Sequence, residues 1–192
     1  MSPETAGLMN QAIMERHSTH AFSNLPIEKA KVTALLEAAR WAPSSRNNQP
    51  WRLIMVTDPQ VLASLKPALA RGNQWAFDAP LIIVMTADPD SDDIIDGKPY
   101  YLFDCGIATE NLLLQAFSMG LQAHPLAGWS ESAVKEALSI PESMRVVIVI
   151  VVGYKGKIET LDEYTQQKEV HPVVRKPLSE IVYRNRWGQK MP

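Results

Sequence analysis

Two stretches of the sequence concentrate side chains that suit the binding of an anion or of a flat polar ligand. The first is "ERHSTHAF", in which Arg16, His17, Ser18 and His20 follow the end of a predicted helix. A guanidinium offers a charged fork of N–H donors, and a serine hydroxyl adds a short hydrogen bond. Together these groups suit a phosphate, although such a cluster is also typical of a solvent-exposed surface.

The second stretch is "APSSRNNQPW", residues 42–51, which carries more polar side chains than a simple connection needs. Serine, asparagine and glutamine side chains donate and accept hydrogen bonds, and that mixture suits a heterocycle or a polyol edged with carbonyl and N–H groups. The same side chains also suit a loop that satisfies only its own backbone. Both interpretations stay open on local grounds.

Two further stretches carry weaker signals. In "AHPLAGWSE", Pro125 and Gly128 predict a tight turn whose backbone N–H groups could face a pocket. In "VVRKPL", Arg175 and Lys176 could add positive charge to a phosphate site. Exposed charges on a terminal segment are the alternative for this last pair.

The placement of these residues depends on helices and strands that the hydrophobic pattern predicts. Helices are expected over residues 7–16, 27–41, 58–72 and 100–119, and strands over 51–57, 80–87 and 146–154. Asp58 is expected to cap the third helix, Pro67 to bend it and Gly72 to end it. Because helices and strands do not alternate strictly, the pattern indicates one α+β domain over residues 1–192.

Two segments have patterns that one small core does not explain. Residues 100–119 are apolar on nearly every side, which predicts a helix buried in the domain or in a subunit interface. Residues from about 155 to 192 have no core pattern of their own. We therefore expect an extended C-terminal arm that rests on another part of the assembly.

Composition excludes several classes of protein. The 192 residues suffice for one buried core, with 46% hydrophobic and 21% charged residues. A net charge of −2 without blocks of like charge makes nucleic acid an unexpected partner. The start lacks a signal-peptide pattern, and the longest apolar run, from Val146, is too short for a membrane-spanning helix. With Cys105 as its single cysteine, the chain is expected to be soluble, cytoplasmic and free of membrane contact.

Several chemistries lack their motifs. No glycine-rich dinucleotide fingerprint and no P-loop is present. The acidic segment 88–99 begins like a calcium loop, but Asp93 replaces the required glycine and Pro99 the required glutamate, so a solvated loop is expected. The histidine pair of "HSTH" is too small a ligand set for a metal site, and Cys105 is expected to pack in its apolar helix.

Taken together, these motifs resemble those of the FMN-dependent nitroreductase family over nearly the whole chain. "RHSTHAF" is similar to the family's Arg-x-Ser-x-Arg opening followed by a small residue and Phe. "PSSRNNQPW" is similar to its Pro-Ser-Ser-x-Asn-x-Gln-Pro-Trp motif, the most specific match, and "RGNQ", "DAPLIIV", "GLQAHPLAGW" and "RKPLSEIVYRNRWG" follow in order. Two positions depart from the family: His20 stands where a second basic residue is usual, and Trp129–Ser130 where an aromatic residue followed by Asp is commoner.

The resemblance implies a three-layer α-β-α fold with a mostly antiparallel central sheet. It also implies an intertwined homodimer with two FMN sites at the interface. Each C-terminal arm would wrap around the other subunit, and the apolar helix over 100–119 would lie in the interface.

The resemblance further implies which residues contact FMN, and none of them is expected to act as a catalytic acid or base. The phosphate and ribityl chain would be held by Arg16, His17, Ser18 and His20, with Arg175 and Lys176 completing the phosphate site. The ring would be reached from the partner subunit by Pro43, Ser44, Ser45, Asn47 and Gln49. Its remaining contacts would be Asn73 at the pyrimidine edge and Pro125, Leu126, Ala127 and Gly128 along the ring, with the Ala127 amide near the flavin N5.

Members of this family carry out ping-pong hydride transfer. NADH or NADPH reduces the flavin and leaves, and a small oxidised acceptor such as a nitroaromatic, quinone or enone takes its place. One alternative is an enzyme of the same fold that uses reduced flavin for oxygen-dependent fragmentation or dehalogenation; such members usually carry extra lid segments. The other alternative is a flavin-binding protein without turnover. Acceptor-dependent consumption of NAD(P)H separates the enzyme from this last class.

Overall fold

A computed structural model describes residues 3–171 and 173–190. The helices in this part of the chain are α1 (Pro3–Leu8), α2 (Gln11–Glu15), α3 (Lys29–Arg40), α4 (Pro59–Leu65), α5 (Tyr100–Ser118), α6 (Glu131–Leu138), α7 (Glu163–Val170) and α8 (Leu178–Ile181). The strands are β1 (Phe22–Ser23), β2 (Trp51–Val56), β3 (Leu81–Ala87), β4 (Ile94–Ile95), β5 (Lys98–Pro99), β6 (Gln122–Pro125) and β7 (Arg145–Lys155). Short 3₁₀ helices occupy Ser45–Asn47, Lys66–Ala68, Arg71–Asp78, Pro89–Ser91 and Ile158–Thr160.

Five of the strands form one antiparallel sheet that is organised around β7. Strand β7 pairs with β3, and β3 pairs with β2. Strands β6 and β1 also pair with β7. Every residue of β3 is buried, as its continuous apolar run predicts for a central strand. Strands β4 and β5 form a separate hairpin.

Alternate residues of the central strands enter two cores, one on each face of the sheet. On one face, Ile82 belongs to a core that contains Leu65 of α4 and Val134 of α6. On the other face, Ile83 belongs to a core that contains Leu112 of α5 and residues of α3. Each fully buried aliphatic side chain of this kind contributes about 1.5–3 kcal/mol by its removal from water. The helices on both faces confirm the predicted α-β-α layers.

The single helix predicted over residues 7–16 is wrong, because the chain forms α1 and α2 there instead. Asn10 lies between them with extended backbone, and its side-chain oxygen accepts a hydrogen bond from the Ala12 N–H at 2.9 Å. An asparagine in this position is a favourable N-cap, and it starts a new helix.

The helix predicted over residues 58–72 is also shorter than expected. Asp58 caps α4 as predicted, since its Oδ1 accepts from the N–H groups of Gln60 and Val61. The α-helix ends at Leu65, and Pro67 lies in the 3₁₀ turn that follows. Gly72 does not end this helix, because it belongs to the next 3₁₀ segment, Arg71–Asp78.

The C-terminal residues behave as two parts rather than as one arm over 155–192. Leu161 is buried in the core of its own chain, and α7 follows it. Residues 173–181 are exposed, so the part without a core of its own begins after α7. The sequence gives no sign of this division because α7 is polar, and the side chains that it buries are those of Thr165 and Glu169.

Candidate functional site

A pocket of about 260 Å³ lies between the segment after α2 and the chain that leaves α7. Its lining residues are Arg16, His17, Ser18, Lys168, Glu169, His171, Val173 and Arg175. Four residues expected to hold a phosphate or ribityl chain are therefore together in one place. Lys176 and His20 do not line the pocket.

Arg16 lines this pocket and carries an unsatisfied donor. Its Nε atom is buried and has no hydrogen-bond partner within the described residues. The carboxylate oxygen Oε1 of Glu110 lies 3.9 Å away, which is too far for a hydrogen bond. A buried N–H of a guanidinium without an acceptor is costly, so an anionic group in the pocket would stabilise this arrangement.

Glu169 of α7 holds the segment that carries the phosphate-site residues. Its side chain is 3% exposed. It accepts a short hydrogen bond from the Thr19 hydroxyl and another from the His20 N–H at 2.8 Å. The Nδ1 atom of His20 lies 3.0 Å from its Oε2. Burial raises the pKa of Glu169, but the hydrogen bonds from Thr19 and His20 outweigh burial and hold this pKa below its ordinary value.

His20 therefore faces Glu169 rather than the pocket. Its ring also makes edge contacts with Trp75 and His124, at centroid distances of 4.9 and 5.0 Å. His124 lies 4.6 Å from Trp75, and its Nδ1 is 2.8 Å from the Thr19 carbonyl oxygen. Burial lowers the pKa of His124 to about 4. This aromatic cluster connects the phosphate-site segment to β6 and to the 3₁₀ segment 71–78.

The turn after β6 is held by a residue of that same 3₁₀ segment. The Asn73 Nδ2 atom donates to the carbonyl oxygens of Ala127 and Gly128, at 2.9 and 3.0 Å. Gly128 has a φ of 91°, and a Cβ there would lie 3.1 Å from the Cβ of Ala70, so glycine is required for two reasons. Leu126 is 2% exposed, while Ala127 and Gly128 are exposed. Asn73, Pro125, Ala127 and Gly128 thus form one wall, with Leu126 anchoring it in the core.

The polar loop over residues 43–49 lies elsewhere, between α3 and β2. Arg46, Asn47 and Gln49 have φ values of 47°, 61° and 50°, which non-glycine residues adopt only at a cost. Inside the loop, the Ser44 hydroxyl accepts from the Gln49 N–H at 3.0 Å. The Gln49 side chain donates to the Asn47 carbonyl oxygen at 3.1 Å. Pro43, Asn47 and Gln49 are exposed.

The loop is also bonded to three aspartates that lie outside it. The Ser45 N–H donates to Asp104 at 2.7 Å, and the Ser45 hydroxyl donates to Asp93 at 2.6 Å. The Asn48 amide donates to Asp92 at 3.0 Å. The expectation that segment 88–99 is merely solvated is therefore wrong for Asp92 and Asp93. Burial raises the pKa of Asp104, and the neighbouring carboxylates of Asp92 and Asp93 add to this effect against the Ser45 hydrogen bond.

Sequence patterns do not identify Glu169, Asp93 or Asp104 as part of the site. Glu169 lies about 150 residues from Thr19 and His20, the residues that it binds. Asp104 lies within an apolar helix, where its neighbours in the sequence give no reason to expect a polar partner. The only sequence feature near these residues was the alternate spacing of acidic residues in 88–99, and that spacing resembles a calcium-binding loop rather than a support for loop 43–49.

Other candidate chemistries find little support in the described residues. Cys105 is fully buried, and burial raises the pKa of its thiol to about 12, which keeps it protonated. Among residues 3–171 and 173–190, no three His, Cys, Asp or Glu side chains are arranged to hold a metal ion. No helix in the described part of the chain is both long and apolar enough to span a bilayer.

Comparisons with known sequences match this chain to one protein family and to named relatives. The family model described as "Nitroreductase family" matches residues 13–74 and 69–154. A relative from Archaeoglobus fulgidus, provisionally named an NADH dehydrogenase/NAD(P)H nitroreductase, is 31% identical over 181 residues, which are 91% of this chain and 96% of the relative. A relative from Methanothermobacter thermautotrophicus with the same provisional name is 30% identical over 152 residues, or 77% of each chain.

Solved structures with the same fold include oxidoreductases and further nitroreductase family proteins. A crystal structure described as an oxidoreductase containing FMN has a TM-score of 0.84 and 29% identity, and the match covers 95% of this chain and 94% of that one. A nitroreductase family protein from Clostridium difficile 630 has a TM-score of 0.76 and 29% identity, with 93% and 99% of the two chains covered.

Proposed function

The chain belongs to the nitroreductase family, and on that premise we propose that it is an FMN-dependent oxidoreductase that uses NADH or NADPH. Its acceptor is a small oxidised molecule of the nitroaromatic, quinone or enone class. Support comes from the FMN in the similar oxidoreductase structure and from the provisional names of the two relatives.

The pocket beside α7 fits the phosphate end of FMN. Arg16 and Arg175 line it and supply two guanidinium groups, and Ser18 adds a hydroxyl donor. The buried Nε–H of Arg16 lacks an acceptor that a phosphate oxygen would provide. At about 260 Å³ the pocket is smaller than the roughly 300–1,000 Å³ of sites that enclose a drug-sized ligand. It would therefore hold the phosphate end and leave the ring outside.

The wall formed by Asn73 and the turn after β6 suits the flavin ring. This wall is linked to the phosphate pocket through the contacts of His20 with Trp75 and His124. The exposed backbone of Ala127 and Gly128 offers a flat surface, because Gly128 carries no side chain. We propose that the ring lies along this surface.

A single chain does not bring the polar loop 43–49 to this wall. The pairing of β6, β7, β3 and β2 places Pro125 on a line with Met55, three strand spacings or about 14 Å away. The loop precedes Trp51, four residues further along β2, which adds about 13 Å in the perpendicular direction. We propose that the loop instead reaches the ring held by a second copy of the chain. In that case dimerisation is a condition of function.

The protein's own residues supply binding and orientation. When bound, FMN supplies the redox chemistry by taking up hydride from the nicotinamide and passing it to the acceptor. Arg16 and Arg175 neutralise the phosphate charge, and Asn73 fixes the turn against which the ring rests.

The unsatisfied Arg16 Nε–H in a pocket shared with Ser18 and Arg175 is the observation that carries this proposal. The test is to titrate flavin-free protein with FMN and with riboflavin, and then to follow NADH and NADPH oxidation with and without nitroaromatic, quinone and enone acceptors. We expect FMN to bind much more tightly than riboflavin and nucleotide oxidation to require an acceptor. Equal affinity for the two flavins would contradict the phosphate site, and FMN binding without turnover would indicate a flavin-binding protein.

A further inference from the structure

The proposed function assigns no role to the acidic segment that precedes α5. This segment contacts the polar loop 43–49, which does have a proposed role. Asp92 and Asp93 end this segment's turn just before the β4–β5 hairpin, and Asp104 lies one turn into α5. All three accept hydrogen bonds from the polar loop 43–49. The contacts join parts of the chain that are 44 to 59 residues apart.

The loop needs such support because of its backbone. Three of its non-glycine residues have positive φ, and each of them alone is an unfavourable conformation that surrounding contacts must maintain. Inside the loop, two backbone hydrogen bonds run from Asn47 to Ser44 and from Asn48 to Ser45, and the Ser44 and Gln49 side chains make two more. From outside the loop, Arg52 donates to the Gln49 carbonyl oxygen, and the three aspartates accept hydrogen bonds from Ser45 and Asn48. The aspartates therefore hold the half of the loop that contains Arg46 and Asn47.

Ser45 is where most of these restraints meet. Both of its donors are used, the N–H by Asp104 and the hydroxyl by Asp93. Asp104 is 1% exposed, and the Asp93 side chain is 19% exposed. Ser45 therefore has no donor left for a ligand, whereas the exposed Asn47 side chain has no hydrogen-bond partner among the described residues. This division separates a residue that anchors the loop from one that is free to contact a ligand.

Asp93 is itself fixed to the rest of the fold. Its carbonyl oxygen accepts from the N–H of Tyr100 at 2.9 Å, which ties it to the first residue of α5. Its second carboxylate oxygen lies 3.5 Å from Arg46, the residue with the first positive φ in the loop. Asp93 thus links the start of α5 to two successive residues of the loop.

We propose that Asp93, assisted by Asp92 and Asp104, is a positioning residue that holds loop 43–49 in the shape in which Asn47 and Gln49 reach a flavin. This inference rests on the proposed function, because the flavin is the one assigned there. The aspartates do not contact the flavin in this scheme. Their role is to keep the loop from relaxing into conformations that turn Asn47 and Gln49 away.

The test compares flavin binding by full-length variants that differ at one aspartate. Asp93→Ala removes both contacts of Asp93, and the loss of a charged acceptor for the Ser45 hydroxyl should weaken FMN binding about tenfold or more. Asp93→Asn keeps an oxygen acceptor for this hydroxyl and should stay within about threefold of the unaltered protein. Asp90→Ala is the matched control, because it removes the same charge from the same segment, and its carboxylate has no partner within the described residues.

The visible absorption bands of bound FMN distinguish positioning from general stability. We expect the bands of the Asp93→Ala protein to shift toward those of free FMN, and those of Asp93→Asn and Asp90→Ala to stay unchanged. Should Asp93→Ala not fold, Ser45→Ala removes the same hydroxyl hydrogen bond more gently and should show the same shift. If Asp93→Ala and Ser45→Ala both match Asp90→Ala in affinity and bands, the inference is wrong. Failure of the unaltered protein to bind FMN would instead overturn the proposed function.

Discussion

Glu169 determines which side chains near the pocket are left to bind a phosphate. It lies in the pocket wall, and its Oε2 lies 3.0 Å from the Nδ1 atom of His20, so this ring nitrogen contacts a carboxylate instead of an incoming ligand. The positive charge available for a phosphate comes from Arg16, Arg175 and Lys168, which line the same pocket. A histidine at position 20 suits this chain, because a buried carboxylate lies beside it as a hydrogen-bond partner.

Removing Glu169 should cost both stability and affinity for FMN. In Glu169→Ala, the Thr19 hydroxyl and the His20 N–H lose their acceptor inside the protein, and the free energy of unfolding should fall by about 3 kcal/mol. The segment that carries Arg16 would also be less well held. Urea unfolding and FMN titration measure the two effects. Glu163→Ala, an exposed glutamate on the same helix, is the control and should change stability by less than about 1 kcal/mol.

Arg16 should be the most sensitive single contact for the cofactor. Arg16→Ala removes a guanidinium from the phosphate pocket, and FMN affinity should fall by about 10-fold to 100-fold. Riboflavin, which has no phosphate, should lose little. Arg40→Ala removes the same charge from the exposed end of α3 and should leave both affinities unchanged. A parallel loss of FMN and riboflavin binding in Arg16→Ala would show that Arg16 supports the fold rather than the phosphate.

At the scale of elements, the central strands were predictable and the short ones were not. The apolar runs of β3 and β7 are short and rich in valine and isoleucine, which favours buried strands, and in the fold all of β3 and most of β7 are buried or half-buried. Strand β6 has the sequence "QAHP", and α7 has "EYTQQKEV", neither of which carries an apolar period. Their positions depend on β7 and Glu169, which are contacts with residues far away in the sequence.

Some residues of the candidate site could be predicted from sequence motifs, and the partners of others could not. Motif resemblance predicted Arg16, Ser18 and Arg175, and the structure brings them together. It also predicted His20 and Ser45 as direct contacts of FMN. In the structure, the Nδ1 atom of His20 lies against the Glu169 carboxylate and the Ser45 hydroxyl donates to Asp93. Motif patterns describe which side chains a family retains. They do not show an acid elsewhere in the chain that changes what one of those side chains binds.

Strand β6 also makes stability depend on pH through His124. Burial keeps the pKa of this histidine near 4 in the folded protein, while the unfolded chain takes up the proton near 6.5. The unfolded state therefore binds more protons between these values, and stability must fall as the pH falls through this window. Between pH 7 and pH 5 the loss from this one group should be about 2 kcal/mol.

Urea unfolding at pH 7 and at pH 5 measures this loss. In His124→Asn the difference between the two pH values should shrink by about that amount. His171→Asn, at an exposed histidine, should leave the difference unchanged. Glu169 interferes little here, because its lowered pKa moves its own contribution to more acidic solutions. An undiminished difference in His124→Asn would mean that the folded protein accommodates the charged ring.

On the scale of the whole molecule, the chain has apolar surface that one subunit leaves uncovered. On the outer side of α5, Leu102 and Phe103 are 49% and 65% exposed. In the segment after α7 the exposed apolar residues are Val173, Val174, Leu178, Ile181 and Trp187. Several large apolar side chains exposed on one helix face and one segment are typical of proteins that associate. It agrees with the proposal that loop 43–49 serves a flavin bound by a second copy.

Phe103→Glu tests whether the surface of α5 forms the dimer interface. A charge at this exposed position should cost a single subunit little, but its burial against a partner would be strongly unfavourable. We expect a monomer at micromolar concentration in sedimentation, with a free energy of unfolding changed by less than about 1 kcal/mol once association is absent. Because loop 43–49 would no longer reach the ring, FMN should be lost together with the dimer.

The matched control is Val61→Glu, which places the same charge on α4, a helix on the other face of the sheet. It should leave both association and FMN binding intact. A Phe103→Glu monomer that retains FMN with unchanged affinity would show that one subunit holds the cofactor alone. Loop 43–49 would then have no part in the site, and its contacts with Asp92, Asp93 and Asp104 would serve the fold only.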